Sequence, residues 1–431
     1  EILSHVFLLT LPENFPHWDA IRSFTPPLLL CQVCQRWRDA AIHYPTLWSY
    51  FSIESISEAK LYLLRTWIER SVESPLTISV NLLPTHRLDA WDPPFNHIIS
   101  LIFSERNRWR NMYFSVPASA FTTLDFPEEA NSASNLKQLH FQLHSGRIPP
   151  SFKAFLSHSP VLSDFTLKTE QRGVFPLLEN LPWSQLTDLH LECVLSPEEY
   201  QLVFQRSPML RTCHLQNVSR ELLLSPIPAR IQPPITLAYL HYLHVTGEPR
   251  IFLLFDSVTL PSLQTLVIGI IKPGLIRFLA PLSTLESLNF QKFIERSSPP
   301  LQVINFDNVL LQENILIDIL ALLPTMQSLT IDDDSNRLNA QLSDKLLQAL
   351  GGRNGVAFIC PGLTTICLTG QLSTSDGIFA MMVSERWGAN AAINGVTPLK
   401  IVQVELSRDN KVDIECLTNF RWQGLKVVFS F

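Results

Sequence analysis

Two sets of residues in this 431-residue sequence have side chains and spacings that could do chemistry. Cys31 and Cys34 form a C-x-x-C pair, the spacing of a redox dithiol or of half a zinc site. Four histidines recur at equivalent places of an apolar pattern, where an imidazole could titrate near neutral pH or bind a metal. They are His140, His190, His214 and His244. The elements that carry these residues decide which chemistry is available.

The cysteine pair lies in a stretch whose apolar residues recur at steps of three and four. These residues are Leu30, Val33, Cys34, Trp37 and Ala41. The spacing predicts one helix that begins at the Pro26-Pro27 pair and buries this side. A thioredoxin-like dithiol needs a βαβ context, and a zinc site needs a second pair of ligands nearby. Neither context is present, so we interpret both cysteines as small buried apolar residues.

Residues 1–53 predict three short helical elements that have more apolar surface than so small a unit can bury alone. The first helix places Ile2, Val6 and Leu9 on one side. A loop with four prolines follows at 12–27, and the third element carries Leu47-Trp48 behind Pro45. This composition predicts that a partner covers part of the surface.

The motifs of this region resemble the F-box-like domain of fungal F-box proteins. They are Glu1-Ile2-Leu3, Val6-Phe7, Val33-Cys34-Gln35-Arg36-Trp37-Arg38, Ala41 and Leu47-Trp48. The family usually has Leu-Pro before Glu-Ile-Leu, which this chain begins too late to show, and a shorter loop than 12–27. The resemblance implies that the helices bind a Skp-type adaptor and, through it, a cullin-RING ubiquitin ligase. The adaptor-binding residues expected from it are Leu3, Val6, Phe7, Val33, Trp37, Leu47 and Trp48, of which Trp37 and Trp48 also suit a role in holding the helices together.

A Leu-x-x-Leu-x-Leu pattern recurs from residue 109 to the end of the chain. Its instances begin at Trp109, Leu136, Leu162, Leu186, Leu210, Leu240, Leu263, Leu285, Leu301, Met326, Leu363, Leu399 and Leu425. The steps from 136 to 210 are 26, 24 and 24 residues, within the period of leucine-rich repeats. The step from 285 to 301 is too short, so we expect one of these two instances to be helix or loop. Helical patterns at 60–70 and 315–323 lie between instances.

The fold predicted from these patterns is α/β. A short all-α, F-box-like head at 1–53 precedes an irregular leucine-rich-repeat solenoid at 54–431 with a parallel sheet on its concave side. Repeats that follow such a head resemble the substrate-binding region of the same family.

Strand geometry predicts which side chains face the concave groove. Alternate residues of a strand point to opposite sides, so the residue between the last two apolar positions faces solvent. In the five instances that begin at Leu136 to Leu240, four of these residues are the histidines named above. Because neighbouring strands lie ~4.8 Å apart, His190, His214 and His244 are expected to stack as a ladder. The ladder is interpreted as ordinary solvent-facing residues, as a partner-binding groove whose charge changes between about pH 6 and 7, or, least favoured, as a zinc site.

The groove is expected to become more acidic towards its C-terminal end. Asp332 and Glu405 face it there, and Asp333 and Asp334 extend the run. Such a run is interpreted either as a solvated acidic loop or as a site for a basic degron.

Composition excludes several classes of protein. The hydrophobic fraction of 46% and the charged fraction of 17% argue against a disordered chain, and a net charge of -6 without basic runs argues against nucleic-acid binding. No apolar run approaches the ~20 residues that span a bilayer. Seven cysteines, an odd number, favour a reducing compartment, the cytosol or nucleus. The densest glycine cluster, 351–355, follows a helical pattern and is typical of a helix C-cap rather than a phosphate loop.

The sequence therefore predicts a non-catalytic substrate receptor. The head is expected to bind the Skp-type adaptor, and the groove an unidentified protein substrate. No catalytic residue, cofactor, metal, nucleic acid or membrane partner is predicted. The alternatives are a scaffold whose head packs permanently on the first repeat, and an enzyme with an unrecognised site, which the absence of any catalytic constellation disfavours.

Overall fold

The computed structural model describes residues 2–11, 25–82, 93–116, 133–143, 156–218, 233–271, 284–309, 311–332, 342–352, 357–370 and 372–430. The chain divides into two compact units, Glu1–Val194 and Leu195–Phe431. The predictions for residues 12–24, for Asp333 and Asp334, and for 353–355 concern residues outside the described ranges.

In its described residues, the first unit combines short helices with six parallel strands. Its strands are β1 (Tyr50–Ile53), β2 (Leu76–Asn81), β3 (Trp109–Val116), β4 (Gln138–Leu143), β5 (Asp164–Arg172) and β6 (Asp188–Leu195). Each pairs in parallel with the next in chain order. The α-helices are Ile2–Leu8, Leu30–Val33, Gln35–Ile42, Glu58–Ser71 and Pro93–Ser104, and short 3₁₀ helices include Pro45–Trp48.

The described part of the second unit has eight strands in a parallel sheet. In their order across the sheet they are β7 (Thr212–Val218), β9 (Tyr242–Gly247), β11 (Thr265–Ile270), β12 (Val303–Asp307), β13 (Ser328–Asp332), β14 (Thr365–Thr369), β15 (Ile401–Glu405) and β16 (Lys426–Ser430). The short strands β8 (Ile235–Thr236) and β10 (Val258–Thr259) pair separately. The α-helices are Pro197–Arg206, Leu253–Ser257, Thr284–Ser297, Glu313–Ala321, Asp344–Leu350, Ile378–Glu385, Gly388–Ile393 and Lys411–Trp422.

The repeated apolar pattern explains where these strands form. Its three apolar positions are buried, as at Leu186, Leu189 and Leu191, and the intervening residues are partly exposed. Twelve of the thirteen instances overlap a strand. The exception is the instance at 285–290, which lies in the helix Thr284–Ser297, so the expectation of one helical instance is confirmed. The helices expected at 60–70 and 315–323 are also present, as Glu58–Ser71 and Glu313–Ala321.

The single helix predicted across Cys31 and Cys34 is wrong. Cys34 has extended backbone, with φ of -160° and ψ of 169°, and separates the helices Leu30–Val33 and Gln35–Ile42. Arg38 spans the break by donating from Nε to the carbonyl oxygen of Cys31 at 2.8 Å. A 3.6-residue periodicity does not continue through an extended residue, so Leu30 and Ala41 are buried while Cys34 is exposed. Its interpretation as a buried apolar residue is therefore also wrong.

The region predicted as a separate head includes the first strand of the sheet. β1 pairs with β2 from Tyr50 and Thr77 to Ile53 and Val80. The division between compact units lies much later, after Val194. The boundary proposed at residue 53 thus falls within continuous strand pairing.

Carboxylates link successive helices of the second unit. Glu313 accepts hydrogen bonds from the backbone N–H of Ser343 at 2.7 Å and of Leu346 at 3.2 Å, and from the Ser343 hydroxyl at 2.7 Å. Asp344 in turn accepts from the backbone N–H and the hydroxyl of Ser375, both at 2.7 Å. These bonds satisfy donors at helix starts that would otherwise lack partners.

Another pair of carboxylates in the second unit caps helices reciprocally. Asp376 accepts from the N–H groups of Val412 and Asp413, both at 3.0 Å, while Asp413 accepts from that of Ala380 at 2.7 Å. Backbone hydrogen bonds, that of Val412 first, lower the pKa of Asp376. Burial raises the pKa of Asp413 because it penalises the charged form.

Candidate protein-binding surfaces

The N-terminal helices expose a set of apolar side chains. Ile2, Val6 and Leu9 are 84%, 47% and 82% exposed, and their spacing places them on one side of the helix Ile2–Leu8 and its end. Leu29 and Val33 are exposed at the next helix. The five residues Ile2, Val6, Leu9, Leu29 and Val33 form what we call the apolar set.

The seven adaptor-binding residues expected from the resemblance divide into two groups. Phe7, Leu47 and Trp48 are fully buried. Leu3 and Trp37 are half-buried, and Val6 and Val33 are exposed. Of the seven, therefore, a partner can reach Leu3, Val6, Val33 and Trp37 on the surface.

The buried aromatic residues hold the region together. The rings of Phe7 and Trp37 lie 5.1 Å apart, and those of Trp48 and Trp67 lie 4.9 Å apart in an edge-to-face contact. Trp48 donates from Nε1 to the carbonyl oxygen of Ala41 at 2.7 Å, and the Arg70 guanidinium lies 4.4 Å from its ring centre. Leu47-Trp48, predicted as a third helical element, forms the 3₁₀ helix Pro45–Trp48 and packs inward.

Cys31 of the C-x-x-C pair lacks the environment of an activated thiol. Cys31 is half-buried, and burial raises its pKa, although Arg70 and Arg38 act in the opposite direction. A raised pKa disfavours the thiolate that redox and metal chemistry require. Within the described residues, no three His, Cys, Asp or Glu side chains come together in a group that could hold a metal ion.

The histidines occupy the partly exposed face of the strands, as the alternation predicts. In the first unit, Thr166 separates His140 from His190 in the strand register. In the second unit, His214 and His244 are direct register partners. His190 and His214 belong to different units, so the expected stacking of one on the other stays a prediction.

His214 and His244 make a close contact in the second unit. Their Nδ1 atoms lie 3.3 Å apart, so one ring donates a hydrogen bond and the other accepts it. The Tyr242 ring lies 4.8 Å from that of His214.

A polar network in the first unit connects three strands. Tyr113 Oη donates to Gln138 Oε1 at 3.3 Å, and Gln138 Nε2 donates to Asp164 Oδ2 at 3.0 Å. Asp164 Oδ1 lies 3.6 Å from His140 Nε2, an ion pair when the ring is protonated. Burial, followed by the Asp164 charge, raises the pKa of Tyr113, so its hydroxyl remains a donor.

Only part of this network was predictable from the repeated pattern. His140 stands at the expected groove position, but Gln138 and Asp164 precede the groove positions of their own strands by two residues. Because alternate residues of a strand share a face, the residues two places before each groove position also face the groove, and this identifies Gln138 and Asp164. The sequence prediction included only the residues at and two places after each groove position.

The acidic residues expected towards the C-terminal end lie in the second unit. Asp332 is exposed and its Oδ1 accepts a hydrogen bond from Thr369 Oγ1 at 2.6 Å. Glu405 is half-buried and its Oε2 accepts from the N–H of Gly370 at 2.8 Å. Both carboxylates thus bind groups of a neighbouring strand or its end, with a side open to solvent.

Comparison of the sequence with protein-family models gives no match, and comparison with curated proteins gives none either. Among the described residues, every helix is too short or too polar to cross a membrane.

Proposed function

We propose that this chain is the substrate-recognition subunit of a Skp-cullin-F-box type ubiquitin ligase. The N-terminal helices bind a Skp-type adaptor, and the polar face of the strands, part of a leucine-rich-repeat solenoid, binds a target protein. The chain itself performs no catalysis in this proposal.

The observation that carries the proposal is the exposure of the apolar set. Five large aliphatic side chains remain in contact with water in a short helical region, at a free-energy cost that a docked partner removes. Three of these residues, Ile2, Val6 and Val33, belong to the motifs that resemble an F-box-like domain, which makes a Skp-type adaptor the partner of choice.

Co-purification with a Skp-type adaptor tests the proposal. The full chain, co-expressed with an untagged adaptor, should retain it through affinity and size-exclusion steps. The double variant Val6→Asp, Val33→Asp should reduce retention at least tenfold, because it places charges in an apolar contact. Both side chains are exposed, so the melting temperature should stay within a few degrees of that of the unaltered protein.

A matched control is available on a neighbouring helix. Tyr62, on the helix Glu58–Ser71, is 72% exposed and lies outside the apolar set, so Tyr62→Asp should leave adaptor retention unchanged. Failure of the unaltered chain to retain the adaptor, or equal retention by the double variant, contradicts the proposal.

One observation favours the scaffold alternative. Trp48 packs on Trp67, and β1 pairs with β2, as expected for a head that stays attached to the first strand-helix unit. A scaffold of this kind has the same packing and does not retain the adaptor, so the co-purification experiment separates the two functions.

A further inference from the structure

Among its described residues, the sheet face of the first unit carries two carboxylates that form no ion pair with a lysine or arginine, although His140 Nε2 lies 3.6 Å from one of them, Asp164. Asp164 and Asp188 are register partners on β5 and β6, about 4.8 Å apart along the sheet. In the described part of the chain, no lysine or arginine forms an ion pair with either. Four residues further along the same strands, Lys168 Nζ and Glu192 Oε2 lie 2.9 Å apart and neutralise each other. The contrast leaves the negative charge concentrated at Asp164 and Asp188.

This arrangement is unfavourable for the isolated protein. Like charges placed directly opposite on neighbouring strands destabilise a sheet. The described hydrogen bonds to the two carboxylates come from neutral groups, Gln138 Nε2 at 3.0 Å and Thr187 Oγ1 at 2.7 Å. A cation supplied from outside the chain would relieve the repulsion.

An aromatic surface adjoins the carboxylates. The rings of Tyr113 and His140 lie 4.6 Å apart and are inclined by 38°. The side chains of His140 and Asp164 are 34% and 24% exposed, so both reach solvent. Gln138 connects the Tyr113 hydroxyl to Asp164 and so holds the aromatic and acidic groups in one place.

We propose that this patch, formed by Tyr113, Gln138, His140, Asp164 and Asp188, binds an arginine side chain of a protein partner. A guanidinium is planar, so it can lie against an aromatic ring while it donates paired hydrogen bonds to a carboxylate. An ammonium has no such plane and is more strongly hydrated, which favours arginine over lysine. The positive charge of the guanidinium complements the two carboxylates, which favours arginine as the bound group.

The inference deepens the proposed function by stating what the target presents to the sheet face. It rests on that function only in requiring a protein partner at this face. Its test does not involve the adaptor, so the two proposals can fail separately.

Fluorescence anisotropy with labelled peptides tests the inference on the full chain. The probe is an eight-residue peptide of alternating arginine and serine, and the comparison peptides replace arginine by lysine or by the neutral isostere citrulline. We expect the arginine peptide to bind at least fivefold more tightly than the lysine peptide, and the citrulline peptide not to bind.

Substitutions of both kinds of group should weaken binding of the arginine peptide. Asp164→Asn and Asp188→Asn should each weaken it at least fivefold and leave the melting temperature unchanged or raised, because each removes a like-charge repulsion. Tyr113→Leu and His140→Gln should each weaken it about threefold, although neither removes a carboxylate. Glu73→Gln, the same charge change on an exposed residue before β2, should have no effect.

Three results would overturn the inference. The first is no binding of the arginine peptide by the unaltered chain. The second is equal binding of the arginine and lysine peptides. The third is weakening by the two aspartate variants while both Tyr113→Leu and His140→Gln, folded as judged by circular dichroism, bind normally. That third result would indicate diffuse attraction without an arginine site.

Discussion

At the scale of single residues, His190 is the histidine of the sheet face whose protonation the structure opposes. Burial is the largest effect and lowers its pKa below the ordinary value of 6.5. The negative charge of Glu192 is the next largest effect and raises the pKa. His140 and Lys168 act in the same direction as burial, and Asp164 against it. The folded chain therefore takes up a proton at His190 at a lower pH than the unfolded chain does.

The direction of this pKa shift predicts a pH dependence of stability. As the pH falls from about 7 to 5.5, the unfolded histidine binds a proton first, so the stability that His190 contributes above pH 6.5 is lost. His190→Gln should make the fall in melting temperature between pH 7 and pH 5.5 smaller than in the unaltered protein.

Two outcomes decide that prediction. His158→Gln, the same substitution at an exposed histidine of the first unit, should leave the fall as it is in the unaltered protein. An unchanged fall in the His190→Gln variant would contradict the assigned direction of the shift.

Residue-scale reasoning from sequence was accurate for the strands and poor for the N-terminal helices. Alternation along a strand is a local property, so His140 and His190 lie on the partly exposed face as predicted. The burial of Phe7, Leu47 and Trp48 depends on contacts with other elements, such as that of Trp48 with Trp67. No spacing within residues 1–53 reveals that contact.

At the scale of elements, Glu313 is the clearest stabilising device of the second unit. Its carboxylate, at the first position of the helix Glu313–Ala321, accepts three hydrogen bonds from Ser343 and Leu346 around the start of the helix Asp344–Leu350. One carboxylate therefore couples two helices that are 30 residues apart.

Removing this cap should destabilise the second unit. Glu313→Ala leaves two backbone N–H groups and one hydroxyl without their acceptor, at an expected cost of about 1–2 kcal/mol in the free energy of unfolding. Urea unfolding followed by circular dichroism measures the loss. Glu415→Ala, an exposed glutamate on the helix Lys411–Trp422, should change it by less than about 0.5 kcal/mol. Equal effects of the two substitutions would show that the cap contributes nothing specific.

At the scale of the whole molecule, the N-terminal region is continuous with the sheet of the first unit. Strand β1 covers the edge of β2, whose Leu76, Ile78 and Val80 are fully buried. Deleting residues 1–53 therefore removes a paired strand together with the helices.

This continuity predicts the behaviour of the fragment 54–431. Without β1, the backbone donors and acceptors at the edge of β2 and the side chain of Trp67 become exposed, and such an edge promotes association between chains. Light scattering after size exclusion should show higher oligomers or aggregates for the fragment, whereas the full-length Val6→Asp, Val33→Asp variant should remain as dispersed as the unaltered chain. A monodisperse, folded fragment would contradict this prediction and would support the boundary proposed at residue 53.

The sequence by itself determined the positions of the strands that carry the repeated pattern, from β3 onward, and the side chains that they present to solvent; it did not predict β1 or β2. The prediction from the pattern was possible because a buried strand requires apolar residues at local, periodic positions, as at Leu186, Leu189 and Leu191. The short step between the instances at 285 and 301 also predicted that one of the two does not form a strand. The tertiary structure alone decided the break at Cys34, the burial of Trp48, the bonds of Glu313 and the lack of a described lysine or arginine paired with Asp164 or Asp188. Each of these features depends either on contacts between groups far apart in the chain or on the backbone conformation of one residue. Such dependences produce no periodic pattern in the sequence.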